Sequence, residues 1–206
     1  MPDQGLTAHA LSCSLRRTGA GEPSSSEKMV EDIFAALARH GVATGHDRVA
    51  DFDVKPGVGS DEGPGDDWPA LRRRVLAADI FVLALPIWMG QPSSIAKRVL
   101  ERMDAFLGEA DDRQRMPPLG KVALVAVVGN EDGAHACHAA CFQALSDVGF
   151  TIPPNAGIYW VGEAMGRVNY VDLPEPPDNV ASAIELAVSN AVALARALKA
   201  HPYPGV

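Results

Sequence analysis

The hydrophobic positions of this chain fall into two patterns, short apolar runs and longer segments with apolar residues at helical spacing. Residues 80–85 and 122–128 are almost unbroken apolar runs of strand length. Runs that are apolar on both faces are typical of strands in a parallel sheet that is covered by helices on each side. A shorter run at 6–12 predicts a first strand, and residues 150–161 lead through a loop into a last one.

Segments with helical spacing separate these runs. Apolar residues recur three and four positions apart in five segments: 27–40, 68–77, 95–106, 134–148 and 179–200. Residues 42–52 predict a weaker second strand, and 53–68, rich in glycine, proline and acidic residues, predict a mostly exposed loop. Strand alternating with helix predicts one three-layer α/β domain over 1–206, with about five parallel strands, helices on both faces, and loose ends at 1–5 and 201–206.

Composition and charge limit the kinds of partner and environment that we predict for this chain. The chain has 206 residues, a formal charge of -8 and a pI near 5.2. Binding to nucleic acid is not predicted, because neutralising phosphates needs clustered Lys and Arg and the only basic run is 72–74. Three cysteines are an odd and sparse set that fits a reducing cytoplasm. No apolar run approaches about 18 residues, so membrane insertion is not predicted either.

The first candidate loop, residues 14–26, is rich in hydroxyl groups and opens a helix. Ser24 with Glu27 three residues later matches a capping box. Because a helix start has free N–H groups and a partial positive charge, serines beside it favour a phosphate site. The alternative is that these serines only cap the helix. The loop lacks the glycine patterns of nucleotide P-loops and of dinucleotide-binding folds.

The second candidate loop, residues 86–94, is unusually hydrophobic for a turn between a strand and a helix. Trp88 and Met89 stand where small or polar residues are usual. Either this turn lines the core, or it is a platform for a flat ring, because open parallel sheets bind ligands beyond the carboxyl ends of their strands. A third loop, 129–133, follows the next apolar run and is polar and bounded by glycines.

These three loops, in this order and spacing, resemble those of the flavodoxin-like NADPH-dependent FMN reductase family, a group that includes NAD(P)H quinone reductases. The resemblance covers about residues 6–200 and rests on 12–16 with 24–26, on 86–94 with Lys97 and Asp104, and on 129–133. It departs from the family in the first loop, which is long and carries Cys13 where glycine is common.

The resemblance implies that the three loops surround FMN. The phosphate would be held by Ser14, Arg16, Ser24, Ser25 and Ser26. The isoalloxazine ring would be bordered by Pro86, Ile87, Trp88, Met89 and Gly90. Its other edge would meet Gly129, Asn130, Glu131, Asp132 and Gly133, where the two carboxylates shape the loop.

The same resemblance implies a cytoplasmic oxidoreductase. It would take electrons from NADPH or NADH and pass them through FMN to a small acceptor, free flavin or a quinone. The chemistry would belong to the flavin, so no side chain is predicted to be catalytic. Relatives of this kind often pair, which implies a homo-oligomer, a dimer or a tetramer.

Other interpretations stay open at this point. A flavodoxin-type FMN electron carrier without its own nicotinamide site fits the acidic charge, and a scaffold that has lost its flavin fits the unusual first loop. A metal site would use the cluster Glu131, Asp132, His135, Cys137, His138 and Cys141. These side chains would not all converge on one point of a helix, so no metal is predicted. Residues 162–178 follow no recognisable pattern, although 159–166 is a candidate roof for an acceptor pocket.

Overall fold

The structure, a computed structural model, describes residues 5–21 and 23–206. Its strands are β1 (Thr7–Ser12), β2 (Ala43–Arg48), β3 (Ile80–Trp88), β4 (Gln91–Pro92), β5 (Val122–Gly129) and β6 (Gly157–Val161). Its helices are α1 (Ser25–Arg39), α2 (Trp68–Ala77), α3 (Ser94–Met103), α4 (Ala134–Asp147) and α5 (Asp178–Ala200). Short 3₁₀ turns occupy Val49–Asp51, Asp104–Gly108 and Tyr170–Asp172.

Five parallel strands form the central sheet in the order β2, β1, β3, β5, β6. The side chains of β1, β3 and β5 alternate between two apolar cores. Helices α1 and α5 cover one face, where Ile33 and Val188 pack with Val82, and helices α2, α3 and α4 cover the other, where Leu71 and Val99 pack in one cluster with the opposite residues of the strands. The predicted three-layer α/β fold is confirmed.

The predicted boundary between the third strand and the second loop is wrong. Strand β3 continues through Pro86 and Ile87 to Trp88, because Pro86 is still paired with Val128 of β5. It then turns back at once, and β4 pairs antiparallel with its end, Ile87 facing Pro92. The second loop is therefore a tight hairpin whose tip is Met89 and Gly90.

Helix boundaries also shift in places. Helix α1 begins at Ser25, so Ser25 and Ser26 belong to its first turn rather than to the loop. Helix α3 ends at Met103, and a 3₁₀ turn replaces the predicted last turn. The second strand ends at Arg48, where another 3₁₀ turn follows.

The segment 53–67, predicted as a mostly exposed loop, closes around a buried cation; we call it the Arg102 loop. The side chains of Arg102 and Asp66 are both fully buried, and the guanidinium Nη2 donates to Asp66 Oδ2 over 2.7 Å. The same guanidinium donates to the backbone oxygens of Lys55 and Gly59. Burial alone raises the pKa of Asp66, but the hydrogen bonds from Arg102 and from backbone N–H groups outweigh it and hold that pKa well below its usual range.

Helix α5 lies on the sheet through one apolar face, which includes Ile184, Val188 and Val192. It is the one helix of the described chain that is long and apolar enough, by composition, to cross a membrane, with a mean hydropathy of 1.3. Residues 1–4, predicted as part of a loose end, lie outside the described residues. At the other end, Val206 N donates to Arg113 O and Tyr203 Oη lies 3.3 Å from Thr151 Oγ1.

Candidate functional site

A cavity of about 400 Å³ opens at the carboxyl ends of β1 and β3. Six of the predicted residues line it: Ser14, Arg16, Ser24, Ser25, Ser26 and Trp88. Sequence reasoning missed five others: Leu15 and Pro23 of the first loop, and Asn169, Val171 and Asp172 from the segment that has no recognisable pattern. The cavity thus combines hydroxyl groups, an arginine and a helix start on one side with an indole on the other.

The serines of the first loop hold the backbone around the start of α1. Ser24 is the N-cap, and its Oγ accepts from Glu27 N over 3.4 Å. Ser14 Oγ lies 3.5 Å from Arg16 N, and Ser25 Oγ accepts from Val171 N over 3.2 Å. A hydroxyl that accepts one hydrogen bond still has its proton to donate. These groups therefore fit an anion placed at the helix start.

Only half of the predicted capping box forms. The Glu27 carboxylate does not return to Ser24 but pairs with the guanidinium of Arg48, which is the last residue of β2 and is itself buried. Arg48 Nη1 also lies 3.5 Å from the carbonyl oxygen of Arg16. The ion pair links β2 and α1 to the first loop, so it positions the loop without facing the cavity.

Glu131 joins the third loop to the hairpin tip. One carboxylate oxygen accepts from Met89 N and the other from Gly90 N, both over 3.1 Å. Gly90 also lies directly against Gly133, where a Cβ atom would come within 2.7 Å of the Gly90 Cα. Both glycines have positive φ, +72° and +124°. The second and third loops therefore form one rigid unit, with glycine required at the contact.

The apolar residues of the hairpin differ in exposure. Ile87 points into the core and lies against the backbone of Gly129. Trp88 is 51% exposed and Met89, whose φ is +52°, is 88% exposed. The interpretation of this turn as a core lining is therefore wrong for Trp88 and Met89, and the flat-ring platform is the one that their exposure fits.

Residues 162–172, which we call the bridging segment, run from the third loop to the start of α1. Gly162 N donates to Gly129 O and Met165 N to Asn130 O. The Asn130 side chain holds the same stretch, since Nδ2 donates to Gly166 O over 3.3 Å and to Asn169 Oδ1 over 3.2 Å.

Three aromatic residues in or next to the segment do not line the cavity. Tyr170 is buried, and its hydroxyl donates to Asp32 of α1 over 2.7 Å. Burial and that hydrogen bond raise the pKa of Tyr170 far above its usual range, so the phenol stays a neutral donor. Trp160 packs on Tyr170, and Tyr159 packs on His135 of α4, so these two residues of the candidate roof contact other side chains of the protein.

The residues considered as metal ligands do not gather. No group of three or more His, Cys, Asp and Glu in 5–21 and 23–206 is close enough to hold a metal ion. Cys137 and Cys141 are buried in the core, and burial raises the pKa of their thiols to about 11 and about 12. His138 is also buried, 3.2 Å from Ile158 O. These side chains pack helix α4 against the sheet.

Comparison with known proteins gives the family and two curated relatives. The family model described as NADPH-dependent FMN reductase matches residues 6–166. The divalent metal cation transporter MntH of Mycobacterium bovis is 36% identical over 172 residues, which is 82% of this chain but only 25% of the transporter sequence. The chain thus spans about a quarter of that relative's length. The 8-demethyl-8-aminoriboflavin-5′-phosphate synthase of Streptomyces davaonensis is 29% identical over 96% of this chain and 80% of its own.

Solved structures agree with this picture. The structure of RosB with the bound intermediate 8-demethyl-8-formylriboflavin-5′-phosphate has a TM-score of 0.86 and 30% identity, over 97% of this chain and 82% of that one. The apo form of an NADH:FMN oxidoreductase, EMOB, has a TM-score of 0.66 at 19% identity, over 96% and 92%. At 19% identity, the likeness to EMOB shows a shared fold and nothing more.

Proposed function

The chain belongs to the NADPH-dependent FMN reductase family, and on that premise we propose which residues hold FMN and which class of acceptor receives its electrons. Membership confirms the predicted oxidoreductase class and the predicted cofactors, FMN and a reduced nicotinamide. The acceptor in our proposal is a small molecule, free flavin or a quinone. The cytoplasmic location and the homo-oligomer stay predictions.

The cavity between the first loop and Trp88 is the observation that carries the proposal. Ser14, Ser24 and Ser25 offer hydroxyl protons beside the start of α1, and Arg16 lines the same space, a donor set that suits a phosphate monoester. Trp88 lines it from the side of the hairpin and suits contact with a flat ring. The residues present therefore fit FMN.

The other assigned residues would shape the ring's surroundings. Glu131 fixes the backbone of Met89 and Gly90, and Gly133 allows that backbone to approach the third loop. Bound FMN supplies hydride acceptance from the nicotinamide and electron transfer to the acceptor. The protein's own part would be to hold the ring against the rigid unit formed by the hairpin and the third loop and to leave one side open to the two substrates.

A comparison of FMN with riboflavin tests the phosphate assignment. We expect FMN to bind far more tightly than riboflavin, because only FMN carries the group that the serines and Arg16 would contact. The variant Ser14→Ala/Arg16→Ala should lose affinity for FMN by at least tenfold, about 1.4 kcal/mol, while riboflavin binding stays the same. Fluorescence titration measures both constants. Equal affinity for the two flavins in the unmodified protein would contradict the assignment.

Reduction by the donor separates the enzyme from an electron carrier. With FMN bound and oxygen removed, NADPH or NADH should bleach the flavin absorbance. Binding of FMN without bleaching by either nucleotide would favour the flavodoxin-type carrier.

A second candidate function comes from the relatives that act on the flavin itself. The likeness to the 8-demethyl-8-aminoriboflavin-5′-phosphate synthase covers nearly all of this chain, and the similar RosB structure holds a flavin altered at position 8. On this alternative, riboflavin 5′-phosphate would be a substrate and would leave with a changed ring. Mass spectrometry of flavin recovered after aerobic incubation decides the point, since an oxidoreductase returns FMN of unchanged mass.

A further inference from the structure

We propose that Asp51, by holding Thr18, positions Arg16 at the cavity, so that the first loop is shaped for the phosphate of FMN before FMN binds. This inference rests on the proposed function and deepens it, because it gives a role to a residue outside the three loops. In the described part of the chain, neither Asp51 nor Thr18 lines the cavity. Both are therefore positioning residues, which act through the backbone of the first loop.

The Asp51 carboxylate holds the first loop through two hydrogen bonds. Thr18 N donates to one of its oxygens over 2.7 Å, and Thr18 Oγ1 donates to the other over 2.5 Å. Asp51 ends the 3₁₀ turn that follows β2. Because Arg48, the last residue of β2, is paired with Ser12, the last residue of β1, this turn and the first loop leave the sheet at the same edge.

The charge of Asp51 strengthens this contact. Burial raises the pKa of Asp51, but the hydrogen bonds from Thr18 and the positive charges of Arg48 and Arg17 outweigh it and hold that pKa below its usual range. Hydrogen bonds to an ionised acceptor are roughly twice as strong as those between neutral groups. The carboxylate therefore joins the first loop to the end of β2 by charge as well as by hydrogen bonding.

Arg16 lies between two fixed points of the backbone. Before it, Cys13 O accepts from Ser93 Oγ of the hairpin over 2.7 Å. After it, the contact with Asp51 fixes Thr18. The stretch between these points is only four residues long, so the direction in which the Arg16 side chain leaves the loop depends on both of them.

In the described part of the chain, little packing supports the loop beyond these contacts. A second cavity, of about 260 Å³, is lined by Leu15 and Arg17 of the loop and by Val49 of the 3₁₀ turn, among others, so side chains do not fill that space. At Gly19 and Gly21, no atom would lie within 4 Å of an added Cβ. Ordering a long loop costs conformational entropy. The contact with Asp51 restricts the loop in the free protein, so less entropy is lost when an anion binds.

Removing the contact should weaken the binding of FMN and not that of riboflavin. We expect Asp51→Ala to raise the dissociation constant for FMN about fivefold, because Arg16 is then no longer held at the phosphate. Riboflavin has no phosphate, so its dissociation constant should not change. Fluorescence titration measures both constants.

A double-mutant cycle distinguishes positioning from a general loss of structure. In the Arg16→Ala background, Asp51→Ala should change the dissociation constant for FMN by less than about twofold, because the group that Asp51 positions is gone. Thr18→Val, which loses only the hydroxyl, should raise the constant about threefold in the unmodified background. Thr18→Ser keeps the hydroxyl and should bind FMN as the unmodified protein does.

A similar contact at the opposite edge of the sheet provides the control. Asp79 Oδ2 accepts from Thr7 N over 2.9 Å and from Thr7 Oγ1 over 3.3 Å, at the amino ends of β3 and β1. Thr7→Val and Asp79→Ala remove the same kinds of hydrogen bond far from the cavity. We expect both variants to bind FMN with unchanged affinity.

The outcomes separate this inference from the function on which it rests. Additive effects of Asp51→Ala and Arg16→Ala, or equal weakening of FMN and riboflavin by Asp51→Ala, would overturn the inference alone. If Asp51→Ala does not fold, Thr18→Val takes its place in the cycle, and the same two results count against the inference. If the unmodified protein binds FMN no more tightly than riboflavin, the phosphate assignment itself falls and this inference with it.

Discussion

Different kinds of interaction hold two irregular segments of this chain in place, the Arg102 loop and the bridging segment. The Arg102 loop closes on a fully buried ion pair, and its backbone oxygens accept from the same guanidinium. The bridging segment is tied by backbone hydrogen bonds, by the neutral amide of Asn130 and by the hydroxyl of Ser25. The first segment turns its polar groups inward, and the second leaves Met165 and Val168 exposed.

The contrast shows how a fold can separate stability from adaptability. Opening the Arg102 loop would leave a carboxylate or a guanidinium without its partner in an apolar environment, which costs several kcal/mol. Opening residues 162–168 of the bridging segment breaks hydrogen bonds between neutral groups that water can satisfy, at about 1 kcal/mol for each hydrogen bond. Segments that contact ligands are drawn from the less stable parts of a protein. The four predictions below test this contrast.

Removing the buried cation should have the largest effect. Arg102→Ala leaves Asp66 charged and unpaired, so we expect the free energy of unfolding to fall by about 3–5 kcal/mol. Chemical denaturation measures it. Arg98→Ala is the control on the same helix, because Arg98 is exposed and donates a single hydrogen bond to Val54 O of the same loop; its cost should be near 1 kcal/mol. Equal losses in the two variants would remove the contrast.

Acid should weaken the Arg102 loop in a predictable direction. The folded pKa of Asp66 lies below its unfolded value, which is about 3.9, so its carboxylate adds stability that is complete above that value. This contribution is lost as the pH falls toward the folded pKa. The difference in unfolding free energy between the unmodified protein and Asp66→Asn should thus shrink below about pH 4. Val168→Ser, which changes no titratable group, should show a difference independent of pH.

Removing the hydrogen bonds of the Asn130 side chain should loosen the bridging segment and lower the free energy of unfolding only modestly. Asn130→Ala removes two hydrogen bonds, and we expect a loss of about 1–2 kcal/mol with faster amide hydrogen exchange across 162–169. Asn190→Ala is the control, since its amide donates to Pro154 O away from the site. If amide hydrogen exchange across 162–169 is as slow in Asn130→Ala as in the unmodified protein, the Asn130 side chain is not what holds the segment.

The smallest effect is expected at the surface of the Arg102 loop. Val58→Ser should change the unfolding free energy by less than about 0.5 kcal/mol, as for most surface substitutions, and should leave turnover unchanged. A clear loss of activity in this variant would mean that the Arg102 loop also serves the site.

Local patterns in the sequence were enough to predict the fold and to name six residues that line one cavity. The runs at 80–85 and 122–128 are apolar on both faces because β3 and β5 lie between two helical layers. Ser24 was identified as a cap from its spacing to Glu27, and the cap is present. Whether the fifteen predicted residues contact FMN stays a prediction, although the structure brings six of them to one cavity.

What the sequence did not reveal depends on partners far away along the chain. Arg102 lies in a helix where a charged residue normally faces solvent, and its burial follows from Asp66, 36 residues earlier. Asn169 reaches the site because Asn130, 39 residues earlier, binds it. The β3 boundary was wrong for a related reason, since a proline indicates a break and only the pairing with β5 shows that the strand continues.

The hydroxyl group of Ser25 contacts the bridging segment and also lines the cavity. Its oxygen accepts from Val171 of the bridging segment, and its proton is available to the cavity at the start of α1. A hydroxyl that donates to an anion becomes a better acceptor, because hydrogen bonds in a chain polarise one another. An anion at the helix start and order in the bridging segment are therefore thermodynamically linked, and by reciprocity each stabilises the other.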